Sequence, residues 1–218
     1  MTVKHPAKYT DSLLPIFAEL LQNTLNVFDP MAGVGKLALI NQIGYQGQVF
    51  LNELEPEWGN QAPLWAIVTI GDAACLSYRA NTFDAICTSP TYGNRMADHH
   101  EAKDGSKRNT YKHTLGRNLH PANTGAMQWG DHYCGMHLSI WAECCRVLKP
   151  DGLLILSISD HIRKGQIVPV TDWHIACLQG LGFTLQEHRK VATPRLRYGA
   201  NGNARVGHES VIVFRKAA

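Results

Sequence analysis

Apolar residues in this chain fall mostly into short continuous runs, with one early stretch of helical spacing. Leu13, Leu14, Phe17, Leu20 and Leu21 keep one face of a helix. Ser12 stands at its N-cap, and Pro15 falls in the first turn, where a missing N–H is harmless. Four runs that follow read as strands, and the last of them as a buried one, because it is too short and too rich in β-compatible residues for a helix. They are Asn26-Val27-Phe28, Gln48 to Asn52, about Ala66 to Ile70, and Phe83 to Thr88. Lys36 to Ile43 has helical character, with Gly44 placed to cap it. Later come a strand at Leu153 to Ile158, a helix near Asp172 to Gly180, a strand near Phe183 to Glu187 and a last strand at Ser210 to Phe214.

The strand ends carry the polar chemistry. The first runs into Asp29-Pro30-Met31-Ala32-Gly33-Val34-Gly35. A strand, a Gly-rich turn and a helix in that order let backbone approach a ligand closely. One Gly-x-Gly without a third glycine is a weak dinucleotide fingerprint, and an unliganded tight turn has the same sequence. The second strand ends in Glu53-Leu54, a carboxylate about 20 residues after the glycine turn, where such folds place a ribose-binding acid. Glu53, Glu55 and Glu57 also fit a solvated acidic face. The third ends in Gly71-Asp72-Ala73, and the fourth in Thr88-Ser89-Pro90-Thr91-Tyr92-Gly93. Pro90 stops the ladder and Gly93 permits a sharp turn, so a hydroxyl, a main-chain carbonyl and an aromatic ring are presented together.

The loop at 29–35 resembles the cofactor loop of class I S-adenosylmethionine-dependent methyltransferases. Ser89-Pro90-Thr91-Tyr92 is similar to the Asp/Asn/Ser-Pro-Pro-Tyr/Phe/Trp signature of those that methylate amino nitrogens, the DNA N6-adenine/N4-cytosine methylase type. Arg146 to Gly152 resembles the helix-to-strand turn of the same fold, and Lys4 to Tyr9 the segment beside the methionine end of the cofactor. The resemblance covers nearly the whole chain and departs at Thr91, where the family has a second proline. It implies a Rossmann-like, mostly parallel seven-stranded sheet with an antiparallel last strand and helices on both faces. It implies S-adenosyl-L-methionine held by Lys8, Tyr9, Asp29, Pro30, Met31, Gly33, Gly35, Glu53, Leu54, Asp72 and Ala73. Asp29 and the glycines would take the amino-acid end, Glu53 the ribose hydroxyls and Asp72 the adenine amine. Ser89, Pro90 and Tyr92 would be catalytic, and no metal is expected, since the histidines scatter without ligand spacing.

Residues 94–133 resist a secondary-structure reading. Six basic residues, Arg95, Lys103, Lys107, Arg108, Lys112 and Arg117, face three acids before Asp131. Five histidines, Tyr111, Trp129 and Tyr133 are interleaved. The stretch reads as a substrate-facing lid on a single domain of residues 1–218, suited to phosphate contacts and base stacking. Ala192 to His208 adds Arg195, Arg197 and Arg205 without an acid. Arg95, Lys107, Arg108, Arg195 and Arg197 are therefore candidate nucleic-acid contacts.

The bulk numbers change little. A net charge of +3 is mild, and 44% hydrophobic with 18% charged residues describes an ordinary globular protein. Six cysteines form no CxxC pair, and no apolar run approaches the ~18 residues of a membrane span. A reduced, cytoplasmic setting is expected, without membrane association. The leading expectation is methyl transfer to adenine N6 or cytosine N4 of DNA. RNA guanine or protein glutamine methylation, and a non-catalytic nucleic-acid-binding module, are the competitors. Sequence selectivity is expected to be modest, built from the insert, or supplied by a second subunit, the partner being a homodimer copy or a separate specificity subunit.

Overall fold

The computed structural model describes His5 and residues 9–93, 111–163, 165–193 and 206–218. The first helix, α1 (Leu13–Leu21), buries Leu13, Leu14, Phe17 and Leu21. Ser12 precedes it but does not cap it, and its hydroxyl pairs with that of Thr10 at 2.8 Å. Four parallel strands follow: β1 (Asn26–Asp29), β2 (Gln48–Glu53), β3 (Ile67–Ile70) and β4 (Phe83–Thr88). Lys36–Ile43 is a 3-10 helix closed by Gly44 at φ +114°, and α2 (Pro56–Gly59) is a single turn after β2.

The second half contains more structure than its sequence predicts. Within the supposedly structureless insert lie α3 (Tyr111–Leu115) and a 3-10 turn at Thr124–Ala126. The long helix α4 (Asp131–Val147) leads directly into β5 (Leu148–Ile158). A small hairpin, β6 (His161–Arg163) and β7 (Gln166–Val168), precedes α5 (Val170–Gly180). The chain then forms β8 (Phe183–Ala192) and β9 (His208–Lys216).

The sheet has seven strands in the order β3-β2-β1-β4-β5-β9-β8. β9 is antiparallel to both of its neighbours, and the other strands run parallel. Alternate residues of each central strand feed two cores. Val27, Ala85, Cys87, Ile155 and Val211 pack toward α1 and the 3-10 helix. Phe28, Ile86, Leu154, Leu156 and Ile212 pack toward α4 and α5. Helices therefore cover both faces, and the carboxyl ends of β1 to β4 open together on one edge, where ligands of such sheets bind. Among the described residues no helix is long and apolar enough to cross a membrane.

Candidate active site

A cavity of about 340 Å³ lies at that edge. Its wall includes Asp29, Pro30, Met31 and Gly33 after β1, Glu53 and Leu54 after β2, Asp72 and Ala73 after β3, and Ser89, Pro90 and Tyr92 after β4. His5 and Tyr9 close it from the N-terminal side. One concavity thus collects the three catalytic candidates and nine of the eleven cofactor candidates singled out from sequence. Gly35 is not on the wall. Its φ of +75° makes the turn, and a Cβ there would lie 2.7 Å from Leu51 Cδ1 and 2.8 Å from the Ala62 methyl. Lys8 falls outside the described residues, as do Arg95, Lys107, Arg108, Arg195 and Arg197.

The acids are held by backbone donors. Glu53 accepts from Gly33 N at 2.7 Å through one oxygen and from Glu55 N at 2.9 Å through the other. Each carboxylate oxygen keeps a second lone pair, so hydroxyls approaching from the cavity still find acceptors. Burial pushes the Glu53 carboxyl upward, opposed by the backbone bonds from Glu55 and Gly33. Asp29 accepts from Met31 N at 3.1 Å and from the Thr88 hydroxyl at 2.7 Å. Burial still raises its pKa to about 7, against those two bonds, with the Glu53 charge adding to the rise. Asp72 accepts from Ala74 N at 2.8 Å. At the fourth strand end, the Ser89 and Tyr92 hydroxyls lie 3.3 Å apart.

Several wall residues were not legible as such. Lys36 lies on the cavity, bridging Asp11 at 2.6 Å, donating to the Tyr9 carbonyl and standing 5.0 Å over the Tyr9 ring. A cation directly after Gly35 was its sequence signal. Trp58, Tyr111, Asn123 and Thr124 form its roof. Trp58 and Tyr111 form a small core of their own with Val34, Leu115 and Leu119, and His5 packs edge-on against both rings. The roof is latched by Glu55, which is 1% exposed. It accepts from Arg117 Nη2 at 2.6 Å, His120 N at 2.8 Å and Asn123 Nδ2 at 2.9 Å. Arg117 also bonds Glu57. So Glu53 and Glu55 are buried rather than part of a solvated face, and Arg117 is committed to Glu55 and Glu57 rather than to phosphate. Glu55→Ala leaves those donors unpaired and should cost about 3 kcal/mol of stability, read by chemical denaturation. Hydrogen exchange in 111–127 should rise with it, while the sheet stays protected.

The family model of the DNA methylases (N6/N4 type) matches residues 83–218, from β4 and its Ser-Pro-Thr-Tyr turn through β9. The chain belongs to the DNA methylase family. No curated protein sequence matches it. Solved structures similar to this chain in fold include the cyclase SpnF, at TM-score 0.60 and 16% identity, over 95% of this chain and 82% of that one. A SAM-dependent methyltransferase from Methanosarcina mazei has TM-score 0.58 and 15% identity, over 93% and 97% of the two chains. TrmN from Thermus thermophilus has TM-score 0.55 and 17% identity, over 94% of this chain and 48% of its own. A cyclase among these neighbours illustrates that the fold alone does not fix the reaction.

The cofactor of the chain is S-adenosyl-L-methionine. The residues present fit it: three successive strand ends offer acids to one cavity. Tyr9 Oη and Trp58 Nε1, on residues of its wall, are buried without a hydrogen-bond partner among the described residues. Groups of that kind fit a polar ligand, since leaving them unpaired is costly.

Proposed function

We propose that this methyltransferase acts on the exocyclic amino nitrogen of a DNA base, adenine N6 or cytosine N4. The observation that carries the reading is the meeting of Ser89, Pro90 and Tyr92 with the three acids on one cavity wall. Bound S-adenosylmethionine supplies an electrophilic methyl on its sulfonium. Asp29 and Lys36 are assigned to its amino-acid end, Glu53 to its ribose, and Asp72 with Ala73 to its adenine. Tyr9, Pro30, Met31, Gly33 and Leu54 line the space between.

An exocyclic amine is a weak nucleophile because its lone pair is delocalised into the ring. The Ser89 hydroxyl and the Pro90 carbonyl accept its two N–H bonds and draw the nitrogen toward a tetrahedral shape. Its lone pair then points into the cavity, so positioning and electrostatics supply the catalysis. Tyr92 stacks on the base. A base within a duplex cannot reach this depth and must be flipped out.

Transfer of labelled methyl groups to DNA, RNA and protein pools, followed by nucleoside mass spectrometry, tests the reading. Methylated adenine or cytosine in DNA is the expected product; label only in RNA or protein overturns it. Lys107, Arg108 and Arg197 are assigned to phosphate, and their role has its own test. DNA affinity should fall steeply with salt, and alanine at any one of them should flatten that slope by about one unit. An unchanged slope would remove that residue from the interface.

A further inference from the structure

Thr91 stands where the family signature has its second proline, yet the backbone on both sides of Tyr92 is held. The Thr91 hydroxyl bonds that of Thr124 at 2.9 Å, and its carbonyl accepts from Tyr133 Oη at 2.5 Å. One residue beyond Tyr92, the Gly93 carbonyl accepts from Trp129 N at 3.1 Å. Gly93 is itself constrained, with φ at +63° and the space beside its Cα filled by Trp129 backbone. Every one of these partners lies between the 3-10 turn and the first turn of α4.

Tyr133 is in turn oriented from the core. Its Oη lies 3.0 Å from His174 Nε2 on α5, and His174 Nδ1 accepts from Trp141 Nε1 at 2.9 Å. Tyr133, Trp141 and His174 are all 0% exposed. An indole N–H only donates, so His174 Nδ1 must accept, and the neutral ring then carries its proton on Nε2. That N–H donates to Tyr133 Oη, which leaves the tyrosine proton for the Thr91 carbonyl. The series Trp141, His174, Tyr133, Thr91 thus has one direction throughout. A water-exposed tyrosine could turn its hydroxyl away; this one has no alternative orientation that satisfies both neighbours.

We propose that Tyr133 is a positioning residue for the methyl acceptor, holding the Thr91 carbonyl so that the Pro90 carbonyl and the Tyr92 ring keep their aim. Directed hydrogen bonds here replace the rigidity that a second proline gives by fixing φ. The inference rests on the reading of 88–93 as the acceptor loop.

Tyr133→Phe removes one oxygen and keeps the ring. Turnover on DNA should fall by about 100-fold, the scale of a misplacement near 1 Å, while cofactor affinity by calorimetry stays within about twofold. Exchange of the Trp129 amide, which donates to the Gly93 carbonyl, should quicken by about tenfold or more in the same variant, without cofactor or DNA present. Adding Thr91→Pro to Tyr133→Phe should recover most of the turnover, because proline restores the lost restraint; a merely structural tyrosine would not be rescued this way. Unchanged exchange at Trp129, cofactor affinity lost in step with turnover, or no rescue by proline would each overturn the proposal. Were the wild type inactive on DNA, the proposed function would fail, and the exchange measurement would still decide the clamp. Should Tyr133→Phe not fold, Trp141→Phe, which frees the His174 tautomer, is measured for the same exchange, with quickening expected and no change overturning the proposal.

Discussion

Ser89→Ala is expected to lower methyl transfer by about 100- to 1000-fold, the scale of deleting one positioned acceptor or donor at a reacting centre. Cofactor affinity should survive, because the acids assigned to the cofactor stand on β1, β2 and β3, and Ser89 stands on the neighbouring strand end. Tyr92→Ala should lose about 1–3 kcal/mol of base stacking and appear chiefly in the KM for DNA. Tyr92→Phe separates two contributions. It keeps the ring and loses the hydroxyl, with its 3.3 Å contact to Ser89, so it should retain most of the activity lost by Tyr92→Ala. Cofactor titration and turnover are measured on the same preparations. A Ser89→Ala enzyme with near-wild-type turnover would make that serine a strand-terminating residue and nothing more.

Most of the sheet was legible because its central strands are buried on both faces and read as uninterrupted apolar runs. The three acids and the serine at successive strand ends were legible for a related reason: each falls within two residues of a short β-rich run, so topology brings them to one edge, although β3 leaves Ile67 and Ile70 exposed. Elements that announce themselves less plainly were missed. The core face of α4 is Tyr133, His137, Ile140, Trp141, Cys144 and Val147. Its spacing is helical, but a buried histidine and an intervening Gly135 disguise it. β8 was cut short at Glu187 because it runs on as Glu187-His188-Arg189-Lys190, an edge-strand sequence whose pairing with β9 alone carries it to Ala192. The roof over the cavity was illegible for a different reason. Glu55 and Arg117 are 62 positions apart, and only the fold shows that one buries the other's charge. Counting Arg117 among free cations was the cost of reading charge locally.

Asp29→Asn should separate stability from binding. In the unfolded chain this carboxyl titrates near its ordinary 3.8, and in the folded protein at about 7. Between those values the folded state binds more protons than the unfolded one, so stability must fall as pH rises through that window. The stabilising contribution is complete below pH ~4 and gone above ~7, and the ionised group then costs on the order of 4 kcal/mol. Asparagine keeps an oxygen for the Thr88 hydroxyl and Met31 N but carries no charge. The variant should therefore melt higher than wild type at pH 8, and its melting temperature should lose the wild type's decline between pH 5 and 7. Cofactor binding should move the opposite way. A carboxylate that takes the ammonium of the cofactor's methionine end must first release its proton. Wild-type affinity should thus weaken below pH 7 by up to about tenfold per pH unit, and Asp29→Asn should bind about 10- to 100-fold more weakly at pH 8. Calorimetry in two buffers of different ionisation enthalpy reads the proton release directly at pH 6. Release of no proton on binding, with Asp29→Asn affinity equal to wild type, would leave Asp29 as a buried structural acid and move the ammonium site elsewhere, first to the neighbourhood of Glu53.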